Sequence, residues 1–286
     1  MLGNGLRIVR LAAGIVLACA ALLFILVFKN TALPRQGCYE LFRYLAHEEN
    51  EIRTFNFEWI ETEHFVIKFV EEDRGYSDLV ARTAENAFEP VTAFFSFQPR
   101  DKAVIVMYPD GETLASSFGW DKDERAMGVY WGGIIRVLSP REWIHEGDLE
   151  QTFTRDGPVV HEYTHLVVDQ LTRGNYNRWF TEGVAQYVEK KVTGFTLEAP
   201  SPDGKVEVYN FATLERDFDQ LDQGMAYWQS LQAVEYMVEL GGEPGLLRVI
   251  EALGKGYTLP GAIEKGLQVE YDSFTKDLYA RLRHAG

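Results

Sequence analysis

The string His161-Glu162-Tyr163-Thr164-His165 restricts this chain more than any other stretch of it. Two histidines four residues apart lie on one face of a helix, about one turn from each other, where both imidazoles can share a metal ion. Glu162 stands beside them, able to take a proton from a metal-bound water without being a ligand. The surroundings predict the helix that the string requires. Asp156-Gly157-Pro158 is a helix start with Pro158 in the first turn, and the helix should run to about Leu171 and stop by Gly174. Val159, Val160, Leu166, Val167 and Val168 predict that it is buried, and buried imidazoles beside a carboxylate need polar compensation, which a metal supplies. The plainer alternative is a chance match on a structural helix, expected in on the order of 1% of chains with so few histidines.

Zinc catalysis takes three protein ligands and an open position for water. In Trp179-Phe180-Thr181-Glu182-Gly183-Val184-Ala185-Gln186-Tyr187, Glu182 follows His165 by 17 residues, on a helix predicted from about Trp179 to Lys191. The loop around Gly174 and Asn175 lets this helix fold back across the first, and Gly183 would permit the two backbones to approach closely. No histidine follows until His284, so a third imidazole ligand is disfavoured. A carboxylate near a helix start, favoured by the dipole, is the plainer role for Glu182. Asp169, four residues beyond His165, is placed to hold that ring's second nitrogen, or else faces solvent near the helix end. Cys19 and Cys38 are the chain's two cysteines, too few for a disulfide scaffold or a Cys-rich metal centre. A metal here is therefore held by histidine and carboxylate.

Residues 11–28, LAAGIVLACAALLFILVF, hold no charge over 18 positions and are flanked by Arg7, Arg10 and Lys29. At 1.5 Å per residue they cover about 27 Å, close to a hydrocarbon core of roughly 30 Å. The upstream arginines favour a cytoplasmic amino terminus with the bulk of the chain outside, a single-pass anchor in the cell membrane. A cleaved signal peptide is the competing reading, but Lys29-Asn30-Thr31-Ala32 offers no good cleavage site. The whole chain carries 28 basic and 43 acidic residues, a formal net charge of -15, which disfavours nucleic acid as a partner.

Three regions are expected: 1–30 as cytoplasmic tip and anchor, 31–56 as a stalk or lead-in helix, and 57–286 as a catalytic domain. An apolar fraction of 46% supports a sizeable core. Strands are predicted at 64–70 and 103–108, a helix at 76–95, and one strand or a hairpin broken at Gly132-Gly133 over 126–138. Residues 192–209 read as a hairpin or projecting loop, and helices follow near 211–221, 225–240, 244–253, 259–265 and 270–284. His64 and His145 read as surface or core histidines, and no role is legible for Trp120.

With these residues in view, the chain resembles the thermolysin-type, or gluzincin, zinc metallopeptidases, and more closely the bacterial peptidase MA-like family. The likeness rests on His161, Glu162 and His165 followed by Trp179, Phe180, Glu182, Gly183 and Ala185. It extends more weakly over about residues 57–284. It implies an α+β, zincin-like fold: a small mixed sheet packed on the HExxH helix, then a mainly helical carboxy-terminal half, here preceded by one amino-terminal transmembrane helix. It implies Zn2+ held by His161, His165 and Glu182, with Glu162 as general base and a tyrosine on a later helix stabilising the oxyanion. Tyr227 fits that last place best, with Tyr187 and Tyr236 as rivals and a packing role as the plainer alternative. Related enzymes often set an acidic residue after the glutamate ligand; Gln186 stands four beyond Glu182 here. No Gly-x-Met-Glu-Asn exopeptidase motif precedes the zinc helix, so an endopeptidase is favoured over an aminopeptidase. The strand near Val129–Val137 is expected to border the cleft and take an extended peptide by backbone pairing, with Tyr130 and Trp131 along the groove or in the core.

The expectation is thus a membrane-anchored zinc peptidase acting on peptides or proteins outside the cytoplasm. The alternative is an exported zinc-containing binding or assembly module with little turnover; an intact Glu162 argues against it. An intramembrane protease is disfavoured, because residues 154–178 carry Arg155, Asp156, Asp169, Arg173 and Arg178.

Overall fold

Alternating apolar residues at 64–70 form a strand, β2 (Phe65–Phe69), whose odd-numbered side chains enter the main core. The computed structural model describes residues 33–118, 126–197 and 208–283. Before β2 come a helix, α1 (Leu33–Arg53), and a short strand, β1 (Glu58–Glu61). After it come α2 (Arg74–Phe95), β3 (Ala103–Tyr108), α3 (Gly111–Phe118), β4 (Gly128–Trp131) and β5 (Ile134–Leu138). The remainder is helical: α4 (Leu149–Asp156), α5 (Val159–Thr172), α6 (Arg178–Thr193), α7 (Phe211–Asp217), α8 (Gln223–Gly254), α9 (Leu259–Leu267) and α10 (Tyr271–Leu282). The mixed sheet followed by a helical half agrees with the α+β expectation.

The sheet has five strands in the order β1-β2-β3-β5-β4. Its centre is parallel, β2 to β3 to β5, and both edges are antiparallel. Period-two alternation gives it two buried faces. Phe65, Ile67, Ile105, Met107, Ile135 and Val137 pack into the large core with the helices, whereas Val106, Tyr108 and Ile134 join Leu114 of α3 in a smaller cluster. Helix α1 is fixed on that second side, where Lys68 Nζ donates to Glu51 Oε1 at 2.6 Å and to Thr54 Oγ1 at 3.1 Å.

The stretch 126–138 is a hairpin, with Gly132 and Gly133 at positive φ in the turn between antiparallel β4 and β5. Three elements were not anticipated. Strand β1 carries Glu58-Trp59-Ile60-Glu61 at a sheet edge, where half-exposed polar positions blur the alternation. Helices α3 and α4 have 8 residues each, too short for a clear 3.6-residue period. The helices expected at 225–240 and 244–253 run together as α8, kinked at Gly242, whose φ is 65°. Residues 11–28, read as a membrane span, lie outside the described residues, as do Trp120, His284 and most of the 192–209 stretch. Among the described residues no helix is long and apolar enough to cross a membrane.

Candidate active site

Helix α5 is buried along nearly its whole length, so its polar residues at 161, 162, 165 and 169 meet other protein groups. Helix α6 lies against it and brings Glu182 between the two imidazoles. Glu182 Oε2 is 3.3 Å from His161 Nε2 and 3.3 Å from His165 Nε2. One ligand atom from each of the three residues falls within 4.8 Å of the others. Burial alone would raise the Glu182 carboxyl, but the facing histidines outweigh it and hold it well below the usual carboxylate range. Glu162 points into the same cavity. Burial pushes its pKa up, with the Glu182 and Glu189 charges adding to the effect, despite the attraction of both histidines.

The second nitrogen of each imidazole is also held. His161 Nδ1–H donates to Glu189 Oε2 at 3.1 Å, and His165 Nδ1 lies 2.7 Å from Thr181 Oγ1. Burial disfavours a charged His161, but Glu182 on one nitrogen and Glu189 on the other overcome that and raise its pKa well above the ordinary value. Both rings thereby turn Nε2 toward the common centre. Glu189 is seven residues, two helical turns, beyond Glu182; that spacing was readable in the sequence, whereas Thr181 carried no signal.

Asp169 does not reach His165, and it does not face solvent. Its Oδ2 accepts from Tyr39 at 2.6 Å, Tyr130 at 2.6 Å and Arg43 at 3.1 Å, and its Oδ1 accepts from Tyr176 at 3.1 Å. Burial and the Asp169 charge together push all three phenols up. The place expected for Asp169 is filled by Thr181, one residue before the candidate ligand Glu182.

Gly183 does allow a close approach, but to α8 and not to α5. A Cβ added there would lie 2.2 Å from the Ser230 carbonyl oxygen. The residue therefore sets the crossing of α6 over α8, which in turn sets the distance of Tyr227 from Glu182. Gln186 supports the same contact, donating to the Tyr227 carbonyl at 2.9 Å.

A cavity of about 840 Å³ opens over these groups. Its walls include His161, Glu162, His165, Glu182, Tyr227 and, from the sheet, Tyr130 and Trp131. Of the three tyrosines considered for the oxyanion, Tyr227 alone lines it. Tyr187 donates to Glu243 at 2.9 Å, and Tyr236 packs on Phe274. Burial and the Glu182 charge raise the Tyr227 pKa, so it stays a hydroxyl donor. Arg178, four residues before Glu182, lies 3.6 Å from Glu182 Oε1, pairs with Asp219 at 2.5 Å and has its charge beside Tyr227. Sequence reasoning passed over it, though its i,i+4 relation to Glu182 was visible.

On the opposite wall, β4 is an edge strand that runs beside the start of α5. A Cβ on Gly128 would fall 2.4 Å from Pro158 Cβ and 2.9 Å from the Glu162 carboxylate. Only a residue without a side chain lets the strand come this near. Elsewhere, His64 bonds Glu85 at 2.7 Å and stacks on Phe88, away from the site.

The donor set is two imidazole nitrogens and one carboxylate, each histidine oriented through its other nitrogen. That chemistry suits zinc in a site with three protein ligands. No curated protein matches the chain. Residues 150–282 match the family model of the Peptidase MA superfamily. This match takes in α4 to α10, and with them His161, Glu162, His165, Glu182 and Tyr227, and it supports a peptidase MA-like family for the chain.

Proposed function

We propose that this protein is a zinc-dependent endopeptidase, anchored in the cell membrane by residues 11–28, with its folded body outside the cytoplasm. The single observation that carries the catalytic reading is the position of Glu182 Oε2, 3.3 Å from Nε2 of both histidines. His161, His165 and Glu182 would hold the ion. Zinc there would supply Lewis-acid charge for a water and a substrate carbonyl.

The chain's own groups do the rest. Glu162 takes the proton of the attacking water on its carboxylate and passes it to the departing amine. The Tyr227 hydroxyl donates to the substrate carbonyl oxygen as negative charge grows on it, and Arg178 orients that hydroxyl. Strand β4, the last strand of the sheet among the described residues, offers its edge to an extended peptide, so main-chain bonds align the substrate whatever its side chains. The charge-free run of 18 residues and the Arg7 and Arg10 flank support the anchor and its direction.

The test compares Glu162→Gln with Glu182→Gln on cleavage of a broad peptide library, with zinc content measured alongside. Glu162→Gln should keep the metal and lose about 10²- to 10⁴-fold in rate. Glu182→Gln should lose metal and regain part of its activity in excess zinc. Full cleavage by Glu162→Gln would sink the mechanism. A native protein that holds zinc stoichiometrically and cleaves nothing would be a binding module instead. External protease acting on spheroplasts should digest the large domain and spare residues 1–28.

A further inference from the structure

One side of α1 is buried and the opposite side is apolar and bare. Tyr39, Ala46, Asn50 and Thr54 are buried against the rest of the molecule. Leu41, Leu45, Ile52 and Phe55 are 60%, 56%, 73% and 85% exposed. Together with exposed Cys38 and exposed Glu48, they fall at 38, 41, 45, 48, 52 and 55, intervals of three, four, three, four and three. At about 100° per residue, the helical positions 38–52 make a seam roughly 80° wide that faces away from the buried side, with Phe55 just past the helix end. A contiguous apolar stripe of this kind marks a contact surface, where single exposed leucines would not.

Three occupants can be compared. The upstream run 11–28 is apolar on every face, which suits lipid better than one-sided packing against α1. A lipid surface fits poorly, because Glu40, Glu49 and Glu51 dominate the exposed flanks of the seam. Arg43 is committed to Asp169, and Arg53 bonds Glu49. Helices that lie on anionic membranes carry the opposite charge there. A second copy fits. The apolar run ends at Phe28 and α1 begins at Leu33, so only residues 29–32 intervene. Two copies leaving one membrane through so short a link present their α1 helices in the same direction, with like positions facing. A 3-4 apolar spacing is what a parallel two-stranded seam requires.

We propose that α1 pairs in parallel with α1 of a second copy of this chain along Cys38, Leu41, Leu45 and Ile52, with Phe55 adjoining the seam just past the helix end. The parallel direction rests on the anchoring proposed above; the pairing does not depend on peptidase activity. Glu48, at a central seam position, faces its own copy and costs stability there. Glu49 and Arg53 line the cleft beside the seam, so the partner borders the cleft entrance.

The experiment uses the full chain in membranes, in a Cys19→Ser background, with a short bis-maleimide cross-linker. Cys38 should give a covalent dimer, and Cys38→Ser with Ile52→Cys should give one too. Cys38→Ser with Glu40→Cys, on the side of the helix, should give at least about five-fold less, and Leu45→Glu should lower cross-linking through Cys38 by a similar factor. Leu45 is largely exposed, so an unchanged thermal midpoint should show that its substitution leaves the fold intact. Equal dimer yield through Glu40→Cys, no dimer through Ile52→Cys, or a mixed cross-link joining Cys38 of one chain to Ile52→Cys of another would overturn the proposal. So would a cross-link between Cys19 and Cys38 within one chain when Cys19 is retained. Protease accessibility on the same membranes reads the anchor direction separately, so a failure of anchoring is distinguishable from a failure of pairing.

Discussion

The hydroxyl of Tyr130 donates to Asp169 Oδ2 at 2.6 Å, and so ties the edge strand of the sheet to the helix that bears both histidines. The same oxygen accepts from Tyr39 and Arg43 of α1. One buried carboxylate thus joins α1, β4 and α5. Asp169→Ala leaves a guanidinium and three phenols without their acceptor and should cost about 3–5 kcal/mol. Asp169→Asn keeps an acceptor and should cost less, about 1–3 kcal/mol. Urea unfolding midpoints of the two variants check this, and equal midpoints for both and the native chain would refute it.

Glu189 orients His161 through Nδ1, so its removal should weaken metal binding without deleting a ligand. Glu189→Gln should lower zinc affinity by about 10- to 100-fold. Competition with a chelator of known strength measures this. An affinity unchanged from native would mean that Glu189 is not a support of the site.

Gly128 leaves room for Glu162. Gly128→Ala puts a methyl group against Pro158 and the Glu162 carboxylate, while the ligand residues on α5 and α6 are untouched. Zinc content should stay near native while the cleavage rate falls by about 10²-fold, since a displaced base loses much of its contribution. Loss of both together would point to a general collapse of the site.

Tyr227→Phe removes a donor and keeps the ring that packs on Phe218, with centroids 5.4 Å apart. The expected effect is a fall in kcat of about 10²- to 10³-fold, with KM and zinc content little changed. Tyr187→Phe and Tyr236→Phe serve as controls and should leave kcat near native. If either control falls as far as Tyr227→Phe, the oxyanion assignment moves.

Local spacing was enough to reveal part of this site. The four-residue step from His161 to His165 and the apolar run around it specify a buried helix with two imidazoles on one face, whatever that helix packs against. The partner of each imidazole was less visible. Glu189 repeats the face of Glu182 two turns on, beyond Gln186 one turn on. Thr181 holds His165 because of the angle at which α6 crosses α5, and no one-dimensional pattern encodes that angle.

Sequence alone therefore determined most of the helical half, the break at Gly132-Gly133, and which residue types meet at the candidate metal position, since these follow from short-range periodicity and turn chemistry. Only the tertiary structure decided what Asp169 and Gly183 do. Spacing left Asp169 either beside His165 or facing solvent, but α1, β4 and the loop after α5 surround it with four donors, and a buried carboxylate goes where its charge is compensated. Gly183 was expected to bring α6 against α5, but a missing side chain says that something comes near and not what. The partner is Ser230 on α8, 47 residues away, brought there by packing of the helical core.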